Sequence, residues 1–66
     1  MRLQVNGEPR EFDTALTVSS LVERLGLDAR KVAIERNLEI VPRSAYGFTM
    51  LGEGDRLEIV NFVGGG

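Results

Sequence analysis

One stretch of this chain carries a helical period, and it sets the architecture the other residues must serve. Val18, Leu21, Val22 and Leu25 fall at i, i+3, i+4 and i+7, so they share one face of an α-helix while Ser19, Ser20, Glu23 and Arg24 turn away. Thr17 stands where a hydroxyl accepts from the first-turn N–H groups. Gly26 follows as a residue able to take left-handed backbone, with Leu27 placed to fold back on the last turn, so the helix ends by Leu25 or Gly26. An apolar stripe this short has to be buried against a second layer. The flanking segments read as strands and turns, so that layer is a sheet.

Before the helix, Leu3 and Val5 alternate with Arg2 and Gln4, the period-two pattern of a half-buried strand. Asn6-Gly7 marks a tight hairpin. Pro9 suits the rim of the second strand, expected over Arg10 to Phe12 with Phe12 pointing inward. After the helix, Asp28 to Lys31 reads as a polar connector. Val32-Ala33-Ile34 and Ile40-Val41 then form a second hairpin. A two-residue turn at Asn37-Leu38 would hold Leu38 at positive φ, at a cost on the order of 1 kcal/mol, and a wider loop would avoid it; both remain open. Ser44-Ala45-Tyr46 suggests a single helical turn, and Tyr46 and Phe48 are assigned to the core. Met50-Leu51 reads as a brief edge strand. Gly52-Glu53-Gly54-Asp55 reads as a solvated turn in preference to an acid/base pair. In the last strand Leu57 and Ile59 point inward, which leaves Val60 and Phe62 on the water side with Arg56 and Glu58. The expected class is α+β, a mixed sheet of four to five strands packed on one amphipathic helix.

Composition removes several functions. Sixty-six residues make one small domain, which buries only about 60% of the surface its unfolded chain exposes, so a deep catalytic cleft is hard to build. Ten acidic and eight basic residues are interspersed, for a formal charge of -2. No basic run offers a footprint for nucleic acid or an anionic membrane. No apolar stretch approaches the ~18 residues of a spanning helix, and the N-terminus lacks the apolar core of a signal peptide, so a cytoplasmic protein is expected. Cysteine and histidine are absent. That excludes disulfides, thiol nucleophiles, the usual zinc sites and the commonest general base. The chain reads as something other than an enzyme, monomeric when free.

What remains is the end, where the apolar strand runs without a polar linker into Gly64-Gly65-Gly66. Glycine adds no side chain to a core. Three extended residues reach roughly 10 Å, enough for an α-carboxylate to enter a cleft that any side chain would block. We divide the chain accordingly into a domain over residues 1–63 and a flexible glycine tail over residues 64–66. Val60 and Phe62, apolar and outward just before that tail, fit a partner-docking patch.

Two hairpins around one helix, then a final strand with a glycine end, resemble the ubiquitin-like β-grasp domains. More closely, the chain resembles the thiamine-biosynthesis sulfur carrier family known as ThiS. The similarity is carried by Val5-Asn6-Gly7-Glu8, Thr17-Val18 with Leu21-Val22, and Val32 to Asn37 with Glu39-Ile40-Val41-Pro42-Arg43. Gly54 to Val60, running on to Phe62-Val63-Gly64-Gly65-Gly66, completes it. Leu38 departs from the glycine or polar residue the family often places there. The resemblance implies that a ubiquitin-activating-type adenylyltransferase (ThiF-like) adenylates the Gly66 carboxylate with ATP. The adenylate becomes a thiocarboxylate, and a thiazole synthase (ThiG-like) takes its sulfur. Gly64 and Gly65 would thread the partner's channel. The sequence has no phosphate-binding loop, so ATP sits on the partner and this chain binds no cofactor or metal of its own. Arg36 and Arg43 are read as solvated surface in preference to partner contacts. A carrier for molybdopterin or cysteine synthesis, a ubiquitin-like modifier joined through Gly66, and a binding module with inert glycines are the alternatives.

Overall fold

The computed structural model describes residues 1–62. Its strands are β1 (Arg2–Val5), β2 (Glu8–Glu11), β3 (Val32–Arg36), β4 (Glu39–Val41) and β5 (Arg56–Asn61), with one helix, α1 (Val18–Arg24). Single 3-10 turns occupy Ala29–Lys31 and Arg43–Ala45. The strands form one five-stranded sheet in the order β2-β1-β5-β3-β4. The two hairpins thus flank the last strand, which pairs parallel with β1 and antiparallel with β3.

The helix ends are fixed by the residues the sequence singles out. Thr17 Oγ1 accepts from the Ser20 N–H at 3.0 Å. At the other end Gly26 takes φ 74°, its N–H reaching the Glu23 carbonyl at 3.0 Å while the Leu27 N–H reaches the Val22 carbonyl at 3.0 Å. These crossed bonds satisfy carbonyls that a helix otherwise leaves open. Val18, Leu21 and Val22 are buried against Leu3, Val5, Val32, Ile34, Val41, Leu57 and Ile59 of the sheet, with Leu16, Tyr46 and Leu51 closing the core. The Tyr46 hydroxyl donates to the Val32 carbonyl at 3.2 Å, so the ring is buried without stranding its polar end.

Four expectations are corrected. β2 covers Glu8–Glu11, not Arg10 to Phe12, and all four of its residues are exposed. Pro9 lies within it opposite Gln4, which an edge strand tolerates. Phe12 follows the strand half-buried, its N–H bonded to the Met1 carbonyl at 2.8 Å. Phe48 is largely exposed and does not fill the core. Met50 makes only an isolated bridge to Thr17: the Val18 N–H bonds the Thr49 carbonyl and the Leu51 N–H bonds the Leu16 carbonyl, so this segment braces the entry to α1 without joining the sheet.

The fourth correction concerns Asp55, which is 9% exposed and not part of a solvated turn. Its Oδ2 accepts from Arg36 Nε and from the Gly52 N–H, both at 2.8 Å, and its Oδ1 accepts from Asn37 Nδ2 at 3.1 Å. Burial pushes the carboxyl up. The Gly52 N–H, the Asn37 amide and the Arg36 guanidinium together outweigh that and hold it below the usual carboxylate range. Asn37 also grips Arg56, its N–H bonding the Arg56 carbonyl at 2.8 Å and its Oδ1 accepting the Arg56 N–H at 3.0 Å. This clasp ties the β3–β4 turn to the start of β5. It explains why the chain adopts the tight turn, with Asn37 at φ 51° and Leu38 at φ 72°: a wider loop would carry Asn37 away from its partners.

Candidate functional site: the exit of the last strand and the open face of the sheet

The site begins with the strand that leads to the glycines. From Val32↔Asn61 to Arg36↔Leu57, β5 is paired with β3, and beyond it the Phe62 N–H still donates to the Lys31 carbonyl at 2.7 Å. On its other edge β1 pairs only at Gln4↔Arg56 and Val5↔Leu57 before turning away. Asn6 continues the contact there. Its backbone N–H bonds the Leu57 carbonyl at 2.9 Å, its Oδ1 accepts the Ile59 N–H at 2.7 Å, and its Nδ2 donates to the Ile59 carbonyl at 3.2 Å. The chain is therefore held on both edges to within a few residues of Val63. Val63 and the sequence-predicted Gly64, Gly65 and Gly66 lie outside the described residues.

Alternation decides what β5 offers to solvent. Leu57 and Ile59 are buried under α1, so Arg56, Glu58 and Val60 face the side of the sheet without a helix. Val60 is 59% exposed and Phe62 50%. Register brings in residues that the sequence reading missed. Ala33 of β3 lies directly opposite Val60, and Ile40 of β4 lies opposite Glu35 and is 78% exposed. Ala33, Ile34, Glu35, Ile40, Glu58 and Val60 line one shallow depression. The inward side chain of Val41 signals that Ile40 points outward, but only the pairing of β3 with both β4 and β5 shows that Ile40 and Val60 line one depression.

Other candidate groups are engaged within the fold. Arg36 is bound to Asp55, and Arg43 Nε donates to the Ala29 carbonyl at 3.2 Å. Glu53 accepts from the Arg2 N–H at 3.0 Å. Among the described residues no group of three or more His, Cys, Asp or Glu is arranged to hold a metal ion, and no helix is long and apolar enough to cross a membrane.

One helix laid on one face of a five-stranded mixed sheet, with the final strand at its centre, defines a ubiquitin-like β-grasp protein. Residues 3–66 match the model of the ThiS family, and the chain belongs to that family. It is similar to the crystal structure of the thiamine biosynthesis protein ThiS from Geobacter metallireducens, with a TM-score of 0.85 and 38% identity over 100% of both chains. It is 39% identical over 66 residues to the sulfur carrier protein ThiS of Bacillus subtilis (strain 168), covering 97% of this chain and 98% of that one. It is also 56% identical over 66 residues to a thiazole synthase of Paramagnetospirillum magneticum, covering 100% of this chain and 20% of that protein. The chain thus spans about a fifth of the length of the thiazole synthases it matches.

Proposed function

We propose that this chain is a sulfur carrier of thiamine biosynthesis that acts through the α-carboxylate of Gly66. A carboxylate is a poor electrophile because its oxygens are poor leaving groups. Attack of the Gly66 carboxylate on the α-phosphate of ATP, bound by the activating partner, releases pyrophosphate and leaves an acyl adenylate whose leaving group is AMP. Sulfide then displaces AMP to form the thiocarboxylate, which donates its sulfur to thiazole synthase. In this reading the chain is a co-substrate, its partners hold ATP and supply the catalytic groups, and the exchange takes place in the cytoplasm. Gly64 and Gly65 fit the approach to a narrow channel because they bring no side chain. Val60 and Phe62, with Ile40, give the adenylyltransferase a surface to grip beside the base of the tail.

The observation that carries this reading is the family match running through Gly66, on a chain without cysteine or histidine, behind a strand hydrogen-bonded on both edges. The occurrence of a similar segment within proteins named thiazole synthase supports that enzyme as the sulfur acceptor. The test is ATP–pyrophosphate exchange with the activating enzyme. Exchange should require this chain and vanish when Gly65 and Gly66 are deleted, with no change in melting temperature. Exchange that survives the deletion would refute the assignment to Gly66, and a lower melting temperature would make the glycines structural.

A further inference from the structure

The depression on the open face of the sheet has an unusual charge arrangement. Glu35 and Glu58 are direct cross-strand partners in the β3–β5 register, both on the outer face. Like charges placed opposite one another destabilise a sheet. No ion pair among the described residues engages either of them: those pairs are Arg2–Glu11, Arg30–Asp28 and Arg36–Asp55, and Arg56, the next residue on the same face of β5, bonds to neither carboxylate. Beside the two carboxylates the walls are apolar, formed by Ala33, Ile40 and Val60, around a space of about 100 Å³. That volume suits one side chain. The apolar Ala33–Val60 row lies beside the row that holds Ile40 and the two carboxylates, and such a slot is complementary to a long aliphatic stem that ends in a cation. Guanidinium fits best, since its planar fork can serve both carboxylates at once.

We infer that the depression bounded by Ala33, Glu35, Ile40, Glu58 and Val60 receives an arginine side chain of the adenylyltransferase. The inference rests on the carrier reading above and adds the chemistry of the partner's contact. Docking would lay the arginine stem along Ala33 and Val60 and place its charge between Glu35 and Glu58, with Ile40 flanking Glu35, converting a repulsive pair into an attractive triad. The cost of the like-charge pair in the free chain is then repaid only in the complex. Specificity follows as well, because a partner with an acidic or short residue at this point would meet two unpaired carboxylates.

The test measures adenylation by the activating enzyme against the concentration of the full chain, for wild type and for the double variant Glu35→Gln/Glu58→Gln. Removing one side of a desolvated charge contact should raise KM roughly tenfold or more while kcat stays the same. Added salt should weaken the wild type and narrow the gap between the two proteins. The melting temperature of the isolated double variant should stay level or rise, since repulsion has been removed. A merely structural pair would move it down, and that result overturns the inference. An unchanged KM with the wild type fully adenylated overturns the inference alone; a wild type that is never adenylated overturns the carrier reading with it.

Discussion

Replacing Asp55 by alanine removes the clasp between the β3–β4 turn and the start of β5, and the loss can be sized from the contacts. Three donors lose their acceptor: Arg36 Nε, Asn37 Nδ2 and the Gly52 N–H. The Arg36 side chain is 35% exposed, so water recovers part of its hydrogen bonding, and the full penalty of a stranded buried charge does not apply. Hydrogen bonds to a charged group contribute about 1.5–3 kcal/mol, and breaking a buried pair costs about 3–5 kcal/mol, which puts this half-shielded clasp at about 2–3 kcal/mol. A domain this small has a total stability near the low end of the usual range, about 5 kcal/mol, so the variant should lose roughly half of it. Urea denaturation followed by circular dichroism would show a lower midpoint with an unchanged slope, and the melting temperature should fall by about 10–20 °C. Asp55→Asn, which keeps an acceptor but no charge, should fall between. The same clasp sets an acid limit. Because the folded carboxyl titrates below its ordinary value, its contribution is present above about pH 4 and is lost as pH falls through the folded value. Asp55→Asn should flatten that limb. A loss below about 0.5 kcal/mol in Asp55→Ala, the size expected at a solvated surface position, would refute the reasoning.

Leu38 pays for a positive φ while 90% exposed, so Leu38→Gly should gain up to about 1 kcal/mol, less the extra freedom of the unfolded chain, and a fall in melting temperature would show that the turn is not strained. Asn6→Ala removes both side-chain bonds to Ile59 and should cost about 1–2 kcal/mol, with faster hydrogen exchange at the Ile59 amide; unaltered exchange there would mean the contact holds nothing. Val60→Glu should raise the KM for adenylation while changing stability by no more than about 0.5 kcal/mol, and unchanged kinetics would dismiss the open face as the docking surface.

The parts of the fold that the sequence shows are those with strong local signals. The helix has a stripe, a capping hydroxyl and a stop glycine within ten positions, and the outward set of Val60 and Phe62 follows from alternation with Glu58. β2 is misplaced because all of its residues are exposed, so no alternation marks its bounds. Asp55 is misread because two of its three partners, Arg36 and Asn37, lie on another hairpin; locally it is only one more polar residue in a Gly-rich turn. The same clasp settles Leu38, where local strain argues for a loop and long-range bonds impose a turn. At the candidate site Ile40 and Ala33 join Val60 through register across three strands, which no single stretch reveals.

The claim on which the rest depends is that Gly66 carries the sulfur. Intact-mass measurement of the chain after incubation with ATP, a sulfur donor and the activating enzyme tests it directly. The account predicts a single mass increment equal to one oxygen exchanged for sulfur, localised by fragmentation to Gly66. An unmodified chain, sulfur on any other residue, or Gly66 joined to lysines of other proteins would contradict it.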